Sequence, residues 1–413
     1  MTTPGTHRRP RTLSRALSTL ALAGLAATTL PGCTFLVGKI ATSAKKTTVN
    51  LDKYEVQTMR VGLRQEEKMI CPGKPVQMAV FAEAIHAKRK KKKVKQLQTW
   101  SGDPSKSRIG KLGFERFTFS SDQGLVDENG YYQPSGDILG TVDGFSITTA
   151  LNSDPTKFTV VSDYKPAYSC ITGTGGAGMS GAAGSQGSSG SSGSNGSGGS
   201  SEKAGGDGSG GGGAGNGTDG GDGGVGPTLV AYATMVKTPH YDALGIIRVT
   251  GDREDTILFD PKTNVVVSAM GGSGGPGGSG GTGGSGGSGG SGYQGGAGGS
   301  GGPGGVGANG GNGGPGGSLT LIYDDKWPEL ANVIVVDASG GAAGSSGFAG
   351  RGGSGGSKGG PMGEGGVAGT PGADGADGIA GQPGQPGPAG TAVAQAGNVD
   401  AFFGDLPANI ERL

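Results

Sequence analysis

Between residues 271 and 318 the chain reads as sixteen successive triplets, and the phase of its glycines never drifts. The first position is always glycine, the second is glycine in fourteen triplets, and the third is never glycine. A flexible spacer needs only small, polar residues and has no reason to hold glycine in phase over such a distance. A period of three is that of a left-handed polyproline-II type helix, with three residues per turn and a rise of ~3.1 Å. Such a helix has no internal hydrogen bonds and alone in water is an ensemble. With glycine on every third edge, neighbouring helices can meet main chain to main chain and exchange N–H to O=C bonds and weaker CαH to O contacts.

Two more tracts keep the same period. From 175 to 226, sixteen of eighteen frame positions are glycine, the exceptions being Glu202 and Ala214. From 341 to 390, seven frame glycines run to Gly359, the register slips once, and eleven more follow from Gly360. Each tract is interrupted near its centre: at Ser201, Glu202 and Lys203, at Tyr293 and Gln294, and from Lys358 to Met362. Three centred interruptions predict three hairpins, hence six helices of roughly 24 residues and ~75 Å each. The tips, carrying Glu202, Lys203, Tyr293, Gln294, Lys358 and Met362, are a candidate recognition surface, because loop ends on rigid scaffolds often bind.

The flanks agree with this out-and-back path. "TLVAYATMV" follows the first tract, "NVVVSAM" enters and "LTLIY" leaves the second, and "NVIVVDA" enters and "TAVAQ" leaves the third. If these β segments, within 227–270, 319–340 and 391–413, share one small β-base, each tract must leave and return. A G-G-x tract offers two glycine faces where G-x-x offers one, which puts the middle tract inside the bundle. Residues 173–413 are therefore expected to form one glycine-rich domain.

This arrangement resembles the glycine-rich domain of Obg-type GTPases, where such helices project from a β-base. It also resembles phage tail-fibre adhesins, whose helix hairpins present loops at their tips. No G-x-x-x-x-G-K-[ST] phosphate loop occurs, so GTPase activity does not carry over. Two rival readings stay open. One is disorder. The other is a collagen-like trimer, because residues 360–390 are also a run of collagen-like triplets.

The N-terminus addresses the chain to an envelope. Arg8, Arg9, Arg11 and Arg15 precede an apolar run from Ala16 to Leu30, and Leu30-Pro31-Gly32-Cys33 follows. That is the build of a secretory signal over residues 1–32, too short for a membrane-spanning helix. Its end resembles the lipobox of bacterial lipoproteins, which implies acylation of Cys33, a tether over 33–50 and a partner membrane reached through the lipid. Thr34 carries no retention signal of the aspartate type, so the expected location is the outer membrane, facing periplasm or cell surface. Removing residues 1–32 takes four basic residues from 34 and no acid from 33, leaving 30 against 33. Specific nucleic-acid binding is not expected of that balance. Export also leaves one cysteine pair, Cys71 and Cys170, in an oxidising compartment, where a disulfide is expected.

Residues 51–172 alternate in the manner of short strands separated by turn residues: "TMRVGLR", "PVQMAVFAE", "KQLQTW", "RFTFSS", "GFSITTAL" and "KFTVVSDY". Asn129-Gly130 between apolar residues is a hairpin signal. This segment, with Trp100, resembles bacterial Ig-like domains and implies a β-sandwich. The run Lys88 to Lys95 falls between two of the strands, either as a solvated loop or as a contact to anionic lipid, polysaccharide or nucleic acid. The fold class expected for the chain is thus mainly β: an Ig-like sandwich, then a β-base carrying glycine helices.

No reaction is legible. Of three histidines, His7 leaves with the signal, and His86 and His240 are isolated, which disfavours a metal site or a catalytic triad. Asp207, Asp219 and Asp222 lie in glycine-rich stretches that depart from the calcium-binding nonapeptide pattern at Gly210 and Gly212. No cofactor is expected, and no enzyme. The expected role is a structural spacer or adhesin meeting a polysaccharide or protein ligand. The alternatives are ligand or ice-surface binding by a flat helix face, and a trimeric surface protein; the oligomeric state is left open.

Overall fold

The computed structural model describes residues 49–64, 68–90, 92–99 and 110–413. Cys33 with the expected signal and most of the tether, and also Trp100, lie outside them. The protein is mainly β, with several sheets and a single four-residue α-helix, Leu330–Val333, among the described residues.

The N-terminal half consists of two sheets. In the first, β3 (Val76–His86) pairs antiparallel with β1 (Tyr54–Leu63), β4 (Val94–Gln98) and β8 (Tyr131–Pro134); β5 (Gly110–Lys111) and β7 (Gly124–Val126) extend it. The second runs in the order β2 (Met69–Ile70), β10 (Thr159–Pro166), β9 (Phe145–Leu151) and β6 (Phe117–Ser120). Alternation drives these strands. In β9, Phe145, Ile147, Thr149 and Leu151 are buried while the residues between them are not. Two apolar clusters draw on both sheets, one around Val80, Leu97, Phe117 and Leu151, the other around Met78, Tyr132, Phe145 and Ile147. The expected turn at Asn129-Gly130 joins β7 to β8: Gly130 sits at φ 78°, and Asp127 Oδ1 accepts the N–H groups of Asn129 and Tyr131. Cys71 and Cys170 are disulfide-bonded, with Cα atoms 6.3 Å apart.

The C-terminal half has a base of two further sheets over one large apolar core. One sheet is parallel, in the order β11 (Gly173–Ala177), β15 (Val265–Met270), β17 (Ile334–Asp337). The other has β12 (Thr228–Thr238) beside β16 (Ser318–Asp324) and β18 (Thr391–Gly397), all parallel. On the other side of β12 lie β13 (Tyr241–Gly251) and β14 (Asp255–Phe259), with β19 (Glu411–Arg412) also pairing β12. Parallel neighbours cannot be joined by a tight turn and need a crossover, most often a helix. Here the path between parallel neighbours passes from one sheet to the other through a glycine tract: β11 leads through the first to β12, β15 through the second to β16, and β17 through the third to β18.

Each tract goes out and returns as two extended segments, g1 (178–199) and g2 (205–226), g3 (271–292) and g4 (295–317), g5 (341–359) and g6 (369–390). They form two layers, g1-g3-g5 outgoing and g2-g4-g6 returning, joined by main-chain hydrogen bonds every third residue. Within the outgoing layer, Gly181 donates to Ser273 O and Gly274 to Ala342 O, each at 2.8–2.9 Å, and the pattern repeats along the segments. Within the returning layer, Gly208 donates to Ala297 O and Gly298 to Thr370 O. Between layers, Gly275 donates to Gly221 O, Gly299 to Gly287 O and Gly344 to Gly311 O. The middle tract is the one shared by all: g3 bonds to g1, g2, g4 and g5, and g4 to g2, g3, g5 and g6.

The two glycines of each G-G-x triplet therefore serve two different partners. Gly274 donates sideways to g5 and Gly275 donates across to g2. A Cβ at Gly275 would lie 2.0 Å from Ala182 O, and one at Gly274 2.1 Å from Gly311 O. In g2 the second row is at the edge of the slab, where a Cβ at Gly212 meets the serine hydroxyl of Ser191 first, at 2.7 Å. That row accordingly admits Ser209 and Thr218, whose hydroxyls accept the N–H groups of Ser194 and Ser185.

Candidate functional site

The three turns converge at the end of the slab farthest from the base. The first is tight: Ser200 N–H donates to Lys203 O at 3.0 Å, Lys203 N–H returns to Ser200 O at 3.3 Å, and Glu202 N–H bonds Ser200 Oγ. The second, Gly292 to Gly295, is central. Tyr293 N–H is shared between Ser200 O (2.7 Å) and Lys203 O (3.0 Å), and Gly205 N–H bonds Gln294 O at 2.9 Å, which ties the second turn to the first. On its other side Met362 N–H donates to Gly292 O at 2.7 Å and Val367 N–H to Tyr293 O at 2.9 Å, which ties it to the third. The tips are thus one surface with a common main-chain frame.

The third turn is wider than its sequence interruption suggests. Gly359 still donates in phase to Gly296 O, and the period resumes only at Gly369, which donates to Gly359 O. The register slip is taken up between them by a loop that needs Gly363 and Gly365 at φ 82° and 79°. Lys358 consequently ends segment g5 rather than forming the turn, and Pro361, Glu364 and Val367, not singled out in the sequence, join the surface. The slip itself was the available signal for them, since extra residues must go somewhere.

Exposed on this surface are Glu202, Lys203, Tyr293 (44%), Gln294, Met362 (42%) and Val367 (62%), with Lys358 and Glu364 beside them. An aromatic ring, a thioether, an aliphatic side chain and an amide, with carboxylates and ammonium groups of both signs around them, suit noncovalent recognition.

Elsewhere, His240 Nε2 pairs with Asp143 O at 2.9 Å and the His86 ring meets Tyr54 edge-on at 5.1 Å. Among the described residues no three His, Cys, Asp or Glu side chains gather to hold a metal. The Asp207, Asp219 and Asp222 carboxylates instead accept the N–H groups of Ala297, Asn309 and Asn312 across the slab face. Trp327 packs against the core of the base. A cleft of about 330 Å³ opens beside the disulfide, between Arg64, Met69, Lys74 and Tyr131. The Lys74 ammonium donates to Cys170 O at 2.8 Å. The run beginning at Lys88 occupies the turn between β3 and β4.

No protein-family model, curated protein or solved structure matches the chain.

Proposed function

We propose that this is a lipid-anchored protein of a bacterial envelope, in which a polyglycine-II slab carries a recognition surface away from the membrane, as an adhesin or spacer does. The observation that carries the reading is the main-chain frame that fuses three turns into one exposed surface around Tyr293. A period-three bond pattern between segments without bonds inside them is what polyglycine-II packing requires. At ~3.1 Å per residue, the 21 steps from Gly178 to Gly199 extend ~65 Å. The frame glycines of the third tract donate to carbonyls of this same chain, which favours an intrachain slab over a collagen-like trimer. The two facing sheets of the N-terminal half fit the Ig-like reading, with the sandwich acting as the stalk. Surface polysaccharide or protein is the ligand class, and the lipid on Cys33 the anchor.

Replacing Tyr293 by Gly and Gln294 by Ser tests the tip. Reduced attachment of cells displaying the variant, with the slab intact by circular dichroism, is the expected result; undiminished attachment removes the recognition role and leaves a spacer. The lipid is read separately, as an acyl mass on the N-terminal peptide beginning at Cys33. A second reading draws on the outgoing face, where Ser279, Thr282, Ser285 and Ser288 project from g3 at one residue per turn. Such a flat hydroxyl array suits an ordered surface such as ice, and thermal hysteresis decides it.

A further inference from the structure

The basic turn between β3 and β4 stands at the end of the sandwich where the chain enters. In the β1–β3 pairing Tyr54 faces His86, Ala87 N–H donates to Lys53 O at 3.0 Å, and the Lys95 ammonium lies 5.4 Å from the Tyr54 ring centroid. The first strand of the domain and the basic turn are therefore fixed side by side. The far end of the same pair, Leu63 against Met78, is the end nearest the base: Tyr241 donates to Pro166 O at 2.7 Å, and Pro166 pairs with Ile70. The ten residues of β1 separate the two ends by ~33 Å. The glycine slab then leaves the base from the strand ends opposite the Tyr241 turn, since Thr228, Ser318 and Thr391 continue directly from g2, g4 and g6. The basic turn is thus at the end of the sandwich away from the base, and the tips are at the end of the slab away from the base.

Lys88, Arg89, Lys90, Lys92 and Lys93 are exposed, and no carboxylate occurs in sequence between Glu83 and Asp103. Val94 beside them is 51% exposed. Fifteen residues lie between Cys33 and Val49, a maximum reach of ~50 Å. Resting on the proposed acylation of Cys33, we infer that this turn lies on the headgroups of anionic phospholipids, as the second, electrostatic half of the membrane anchor. A single lipid signal and a polybasic patch reinforce one another, because the patch adds charge attraction to a surface that the acyl chains already keep nearby. The mature chain as a whole is slightly acidic, which favours a local membrane contact over a nucleic-acid groove. Docked this way, the sandwich stands on its basic end and directs the tips outward.

The test uses the mature chain from residue 33 with Cys33→Ala, so that its outcome does not depend on whether the natural cysteine is acylated. It is sedimented with vesicles of phosphatidylcholine alone and of phosphatidylcholine with phosphatidylglycerol. Binding to the anionic vesicles only is expected, falling with salt. It should weaken roughly fivefold per neutralised lysine, hence about 100-fold in a Lys90→Gln, Lys92→Gln, Lys93→Gln variant. Equal partition into both vesicles, or wild-type partition of the triple variant, overturns the inference. So does displacement of the anionic vesicles by an equal charge of duplex oligonucleotide.

Discussion

The carboxylate of Asp222 accepts the main-chain N–H of Asn312 at 2.6 Å, and the Asn312 side chain does the same for Gln385 at 2.8 Å. One turn along the slab, Asp219, Asn309 and Gln382 repeat the relay at 2.8 Å each. The donors are not frame glycines: Asn309 and Asn312 are third residues of their triplets, and Gln382 and Gln385 are second residues of theirs. The Asp and Asn side chains supply the bond that no neighbouring carbonyl can reach. Replacing Asn309 and Asn312 by Ala is expected to cost about 0.5–1 kcal/mol each, because water takes over part of the bond. Amide exchange at Gln382 and Gln385 should accelerate while the frame glycines of g6 stay protected.

A methyl group in the seam should be far more damaging than one outside it. A Cβ at Gly284 would lie 1.9 Å from Ser191 O, whereas nothing lies within 4 Å of one at Gly198. Gly284→Ala is expected to destabilise by at least the ~1–3 kcal/mol typical of overpacking. Gly198→Ala should leave the thermal midpoint unchanged or slightly raised. Melting curves of the two variants, run side by side, check this.

The Cys71–Cys170 bridge spans 99 residues and closes nearly the whole N-terminal half. Loop-closure entropy for that length corresponds to about 4–5 kcal/mol. Cys71→Ser with Cys170→Ser should therefore lower the denaturant midpoint of the N-terminal half markedly. The slab, whose bonds lie outside the loop, should keep its own transition.

The base is closed by a charge network at the C-terminus. Asp324, buried at the end of β16, accepts bonds from Thr234 (2.7 Å) and Arg412 (2.8 Å), and Arg412 also pairs with Asp400. Burial pushes the Asp324 carboxyl up, but the Thr234 and Arg412 bonds outweigh it and hold it below its ordinary value. With a depressed folded value, its contribution is present above the unfolded carboxylate range near pH 4 and lost as pH falls through the folded value. Arg412→Ala leaves the carboxylate buried without its cation. A loss of about 3 kcal/mol at neutral pH is expected, shrinking as pH falls and the uncompensated carboxyl takes a proton, readable by tryptophan fluorescence.

The parts of this fold that were legible in the sequence are those with a period. Alternation marked β1, β3, β4, β6, β9 and β10, and the triplet phase marked the glycine tracts and the interior place of the G-G-x one. Strands without a clean alternation escaped. In β13, Leu244, Gly245, Ile246 and Ile247 are buried in succession, because the strand is covered on both faces. β11 is mostly glycine and looks like the tract it introduces. At the tips, Tyr293 and Met362 were visible as breaks in a repeat, whereas Val367 was masked by a frame that resumes in sequence before it resumes in space.

The separations between paired strands recur unchanged far out in the slab. Thr228 faces Ser318, and Ser318 faces Thr391, at distances of 90 and 73 residues along the chain. Asp219 reaches Asn309, and Asn309 reaches Gln382, across the same 90 and 73. The β-base is thus a gauge that sets the alignment of arms many turns away. An insertion of one residue in either arm would turn a side chain into a seam and throw every later contact out of step. Such a molecule can grow or shrink only in whole triplets, added to all arms at matched heights, so its reach is a quantity that evolution can change only in steps.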